Sequence, residues 1–323
     1  MTTDQISARY LRFADGEVHG RSPLYEAITR GIASDPEVLR FLADMPSEKQ
    51  QPNLLLAAVR HLFGVQADWP SFRSILLGNV GEVRSVMMAH VTQTNEPMRC
   101  ATLLPLFAQL PGPLALVEVG ASAGLCLLPD FYDYDFGRAQ IHSTCKAGPR
   151  PLFICNATDT TPLPVSMPEI VWRAGLDLSP LDAADPLHAA WLHTLVWPEQ
   201  VGRADNLQKA LQIAAKHRVR VEKGNLLSDD LKKLCDQAPK GVTLVIFHTA
   251  VLAYVLEQAD RNAFGKRAQS LAAYWVSNEA PGVFPEVAAA VSATPKPGMF
   301  LLSMNGTPVA WTDPHGGAVD WIA

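Results

Sequence analysis

The residue types best suited to ligand chemistry gather in one short stretch, Glu118-Val-Gly120-Ala121-Ser122-Ala-Gly124, set between an apolar run and a segment of helical character. Small residues let a backbone come close to a bound molecule, and a following helix N-terminus favours a negative group. A nicotinamide-binding turn needs glycine at its first, third and sixth positions, and the sixth position here is Leu125. Gly120-x-Ser122-x-Gly124 also has the spacing of a hydrolase nucleophile elbow, with His315 following in the expected order. In a hydrolase, however, several strands and an oxyanion loop precede the elbow and its own strand, whereas only helical patterns precede the run Leu114–Val119 that leads into Ser122.

Other polar residues stand out against apolar surroundings. Glu118 lies inside an apolar strand pattern, where a carboxylate is costly unless it is paired or liganded. His248 closes the run Val242–Phe247, Asn278-Glu279 follows Ala273–Val276, and Asp313-Pro-His315 follows the last strand pattern. Thr92-Gln-Thr94-Asn95-Glu96 is a polar stretch between apolar helices; Thr94 or Asn95 could cap the helix that starts near Pro97. A cap does not account for the whole stretch, which suggests a lid contact with substrate. His188 and His193 are five apart, off the spacing of a zinc-binding helix, so no metal site is expected.

The elements that must position these residues fall into two halves. Up to about residue 110 the patterns are helical: Ser22-Pro23 and Asp35-Pro36 read as caps with first helical prolines, and Gly31 reads as a helix end. From residue 111 onward, short apolar runs alternate with helical periodicity, the pattern of an α/β fold with a mainly parallel sheet wound on both faces. Strand runs are read at Leu114–Val119, Ile170–Trp172, Val219–Val221, Val242–Phe247 and Ala273–Val276. Met299–Met304 and Thr307–Thr312, joined by Asn305-Gly306, form an antiparallel hairpin. The expected domains are therefore a helical lid, 1–110, and an α/β domain, 111–323, with an insertion near 131–168.

Composition excludes several classes of partner. With a net charge of -5 and no Lys/Arg stripe, a nucleic-acid partner is not expected. The most apolar stretch, Val242–Leu256, is too short to span a bilayer, so no membrane partner is expected either. Five dispersed cysteines and a polar N-terminus indicate a cytoplasmic protein.

The glycine turn, together with Thr92–Glu96, Trp172–Pro180, Trp197–Gln200 and Phe247–Thr249, resembles an uncharacterised bacterial family, a domain of unknown function (DUF2332) with a methyltransferase-like fold. The turn itself resembles the acidic-x-Gly-x-Gly-x-Gly turn of class I S-adenosylmethionine-dependent methyltransferases, with Ser122 in place of the second glycine. That resemblance implies S-adenosylmethionine as cofactor, held by Glu118, Gly120, Ala121, Ser122 and Gly124. It implies Asp177 as the ribose carboxylate and Asn225 at the position facing the adenine. Asp177 lies 177 − 124 = 53 positions after Gly124, where about 20 is usual. Either an insertion fills the interval or Asp133 or Asp135 takes the ribose role.

Ligands of open α/β sheets bind outside the carboxyl ends of the strands, so Glu118, Asp177, Asn225 and His248 are expected to converge there. The leading expectation is a methyltransferase acting on a small molecule. Glu96 and His248 are its candidate bases, and Thr94, Asn95, Asn278 and His315 its substrate or lid contacts. The alternatives are a non-catalytic S-adenosylmethionine- or nucleotide-binding protein and a serine hydrolase using Ser122.

Overall fold

A computed structural model describes residues 1–93, 95–145, 148–291 and 296–322. The chain divides into two compact units, Met1–Thr94 with Pro186–Ala204, and Asn95–Asp185 with Asp205–Ala323. The helix Cys100–Phe107, counted from sequence with the N-terminal half, thus falls in the second unit, and Pro186–Leu195 in the first.

The first unit is helical. Ser22 caps Pro23–Ser34 by accepting from the Tyr25 N–H, and Asp35 caps Pro36–Ala43 by accepting from Glu37 and Val38. Gly31 does not end its helix, which runs on to Ser34. A Cβ there would lie 2.2 Å from the Trp69 ring, so this glycine makes room for an indole. Pro52–Phe63, apolar nearly all round, is the most buried helix of the unit.

The second unit is α/β, with one large mixed, mostly parallel sheet and one small sheet. Its strands are β1 (Leu114–Val119), β2 (Asp133–Asp135), β3 (Gln140–Ile141), β4 (Leu152–Ile154), β5 (Asn156–Ala157), β6 (Ile170–Asp177), β7 (Val221–Lys223), β8 (Thr243–Thr249), β9 (Tyr274–Glu279), β10 (Phe300–Met304), β11 (Thr307–Thr312) and β12 (Ala318–Trp321). The nine-stranded sheet has the order β5-β12-β11-β10-β9-β8-β1-β6-β7, and β3-β2-β4 forms the second sheet within the segment 131–168. From β7 to β9 all neighbours are parallel; β9 to β12 are joined antiparallel. Asn305 and Gly306 both have positive φ, the backbone that their hairpin turn demands.

Side chains alternate across a strand, so the register sorts them onto two faces. Val117, Val119, Ile246 and Trp275 pack with Leu231, Leu234, Phe264 and Ala268 on one face. The other face carries Glu118, Phe247 and Thr249, and Phe107 of the helix Cys100–Phe107 packs edge-on against Phe247 at 5.4 Å. Among the described residues no helix is long and apolar enough to cross a membrane.

Candidate functional site at the carboxyl ends of the central strands

The turn after β1 is held by its own chain. The Gly120 and Ala121 N–H groups donate to the Leu176 carbonyl at 2.8 and 3.3 Å, and Gly124 N–H donates to Ala121 O at 2.7 Å. Ser122 N–H donates to Asp177 Oδ2 at 2.8 Å, and Ala123 N–H to Asn95 Oδ1 at 3.1 Å. A single 3-10 turn, Leu125–Leu127, follows in place of a regular helix. With its donors engaged and no helix axis behind it, the turn offers a ligand its shape and side chains rather than an anion cradle. Gly120 has φ 72°, and a Cβ on it would lie 1.9 Å from Val251 Cγ2.

Ser122 has φ 50°, the strained backbone of an elbow residue, yet its hydroxyl accepts from Asn95 Nδ2. Among the described residues no histidine is hydrogen-bonded to it. Asp177 ends β6 and braces the turn; its second oxygen accepts from Ser179 N–H at 2.8 Å. Both oxygens of the carboxylate that resemblance would assign to a ribose thus already accept from the chain's own N–H groups. Asn225 is exposed and folds its own loop, its side-chain carbonyl accepting from Leu227 N–H at 2.9 Å. The alternative carboxylates serve the small sheet: Asp133 accepts from Ser143 and Arg150, and Asp135 from Gly137 and Gln140.

His248 does not join this group. It alternates with Phe247 and Thr249 on β8, so it points to the opposite face, where it is fully buried against Phe264, Trp275 and Phe284. Trp275 Nε1 donates to its Nε2 at 3.0 Å, and an indole N–H can only donate. The ring proton therefore lies on Nδ1, which faces Glu279 Oε1 at 2.7 Å. The same oxygen accepts from the Val251 and Leu252 N–H groups. Both ring nitrogens are engaged, so the base expected at this position is a satisfied core histidine.

The face that His248 leaves carries a different polar cluster. Glu118 is 4% exposed and its Oε2 has no hydrogen-bond partner among the described residues. Burial drives its carboxyl well above the usual carboxylate range, with Cys126 and Asp177 adding to the effect and Arg99 opposing it. Asn278, fully buried, accepts from Thr312 Oγ1 at 2.7 Å through Oδ1, while its Nδ2 is unpartnered among the described residues. Arg99 is 5% exposed; its Nε donates to Pro314 O at 2.8 Å and its Nη1 to Thr249 O at 3.1 Å. Glu96 caps the 3-10 turn Pro97–Arg99 by accepting from Met98 N–H, and its Oε2 lies 3.5 Å from His315 Nδ1. The loop bearing His315 comes close because Gly316 has no Cβ, which would stand 2.2 Å from Met98 O.

The structure thus brings together Asn95, Ser122 and Asp177 at the turn, and Glu96 with His315. Glu118 and Asn278 share the same sheet face, and Thr94 lies outside the described residues. Arg99 and Thr249 belong to the cluster although sequence reasoning passed over both. Strand alternation was the signal for Thr249, since a residue on the face of Glu118 must be one place beyond His248. A small pocket lined by Ser277, Glu279, Phe284 and Ser303 opens on the opposite face, away from this cluster.

Residues 7–321 match a family described as "Uncharacterized protein conserved in bacteria (DUF2332)". A search of curated proteins finds no match.

Proposed function

The chain belongs to this bacterial family, whose description states no reaction, and from the site we propose a methyltransferase-like enzyme that uses S-adenosylmethionine on a small molecule. The observation that carries this reading is the strand order. Counted along the chain, the five parallel strands β1, β6, β7, β8 and β9 run 3-2-1-4-5 across the sheet. Doubly wound dinucleotide-binding sheets use the same order, which supports the reading, and the glycine turn leaves the first strand where the order reverses.

The residues present suit an adenosyl amino acid. Glu118 offers a buried, unpartnered oxygen beside the turn that an ammonium group would satisfy, and Asp177 and Asn225 stand at the ends of the next two strands. When bound, such a cofactor supplies an electrophilic methyl group. The chain's own part is to align the acceptor and exclude water, because an in-line displacement depends chiefly on alignment. On this reading Glu96, Asn278 and His315 serve the acceptor side, while Asn95 steadies the turn by donating to Ser122 and accepting from Ala123. A binding role without catalysis is the second reading, favoured by the withdrawal of His248 into the core.

The test is thermal unfolding with S-adenosylmethionine and its demethylated product. Ligand at ~100 times Kd adds about 2.7 kcal/mol. At roughly 2–4 °C per kcal/mol, that is a rise of several degrees. Asp177→Ala should remove the rise and also lower the unliganded melting point, because it releases the Ser122 and Ser179 N–H groups. No rise with either ligand at millimolar concentration sinks the reading, and labelling of Ser122 by a fluorophosphonate would replace it with the hydrolase.

A further inference from the structure

The Arg99 guanidinium is buried, and its hydrogen-bond partners are all neutral: the carbonyls of Pro314 and Thr249, with the Thr249 hydroxyl at 3.4 Å. Among the described residues it makes no ion pair, and Nη2 has no hydrogen-bond partner. A buried cation whose hydrogen bonds all go to neutral acceptors, with no direct ion pair, is costly, and a ligand of opposite sign would offset that cost.

Two further groups on the same side point the same way. Asn278 is next to Thr249 in register, and Thr312 fixes its amide by donating to Oδ1. That bond leaves Nδ2, a pure donor, buried and unpartnered among the described residues. Glu118 lies one strand further on the same face.

We infer that this cluster is an anion-recognition site and that the acceptor is a small carboxylate, received by Arg99 Nη2 and Asn278 Nδ2. The inference rests on the methyltransferase-like reading only for calling the carboxylate an acceptor; the anion site itself follows from the cluster. A carboxylate suits it better than a phosphate dianion, because one guanidinium balances one negative charge and Glu96 stands close by. Glu118 is no obstacle, since burial holds its carboxyl toward the neutral form, and an ammonium group beside it would balance its charge. The expected complex also explains why Asn278 is spent on a strand end with half its amide idle.

The experiment titrates the whole chain with acetate, propionate and butyrate at constant ionic strength. The amides acetamide, propionamide and butyramide serve as uncharged counterparts, and binding is followed by calorimetry and thermal shift. At least one acid should bind while its amide does not. Arg99→Lys keeps the charge but loses the planar fork, and Asn278→Asp keeps shape and the Thr312 bond but turns a donor into a negative acceptor. Each should weaken acid binding at least tenfold, with far-ultraviolet circular dichroism confirming that both variants are folded. Equal binding of acids and amides, no binding of any acid, or acid binding indifferent to both substitutions overturns the proposal. A protein that binds propionate through Arg99 yet ignores S-adenosylmethionine keeps the anion site and loses the methyltransferase reading.

Discussion

Glu279 and His248, on neighbouring strands β9 and β8, share a 2.7 Å hydrogen bond on the face of the sheet turned away from Glu118. Their bond belongs to a network with Trp275 and two backbone N–H groups, and Phe264 of the helix Gln258–Leu271 packs on the His248 and Trp275 rings. His248→Ala is therefore expected to act on folding. It strips a partner from a buried carboxylate and from an indole N–H, and it opens a cavity, a loss on the order of 3 kcal/mol. Urea unfolding measures it. A variant that loses all turnover with its stability intact would return His248 to the chemistry.

Gly120 is the second test of what the turn is for. Alanine there must hold φ near 72° and push Val251 away. The backbone penalty is about 1–2 kcal/mol, and the overlap costs a further ~1–3 kcal/mol. Val251→Ala in the same chain should recover the overlap part and leave the backbone part. The double-mutant cycle is thus expected to show a coupling of ~1 kcal/mol or more. Strict additivity would mean that this glycine serves a ligand and not its neighbour.

The same contrast between local and tertiary causes separates what the sequence makes legible from what it hides. Signals that act locally were legible: the Ser22 and Asp35 caps, the Asn305-Gly306 turn, and the apolar run that became β1. Gly31 misled because its cause is tertiary, an indole from another helix filling the space above it. His248 misled because a strand end shows where a residue lies along the sheet, and only the register shows which face it takes. Arg99 was invisible because an arginine in a helical pattern looks solvated until the fold buries it. The short β12 carries Asp320 among apolar neighbours and too little periodicity to announce a strand.

Glu118 gives the protein a pH dependence of defined sign. Its carboxyl is raised well above 4.5 in the folded chain, chiefly by burial. Between the unfolded and the folded value the folded state holds more protons, so the stabilising contribution is complete below about 4.5 and is lost as pH rises through the folded value. Glu118→Gln removes the titration while keeping the shape. It should match the parent at acid pH and surpass it increasingly toward neutral and alkaline pH, read as melting temperature against pH. A parent whose stability falls no more steeply than the variant's over that range would show that Glu118 ionises freely.

Glu96 and His315 form a pair at the rim of the cluster. Glu96 is 3% exposed, and its Oε2 stands 3.5 Å from Nδ1 of His315, whose side chain is 41% exposed. A buried carboxylate beside a solvent-facing imidazole can take a proton from an acceptor and pass it outward, each group covering the part of the path the other cannot reach. If methyl transfer requires that proton to leave, Glu96→Gln should lower kcat at least tenfold, about 1.4 kcal/mol of transition-state stabilisation. Cofactor binding should persist, because the Glu96 carboxylate accepts from the Met98 N–H and is assigned no contact with the cofactor. His315→Gln should lower kcat as well, and the double variant should fall little further than the worse single one, since the two residues act on one proton. KM for the acceptor should change less than kcat in all three. Undiminished turnover in Glu96→Gln would reduce the carboxylate to a cap on the turn Pro97–Arg99, leaving Arg99 and Asn278 to position the acceptor alone.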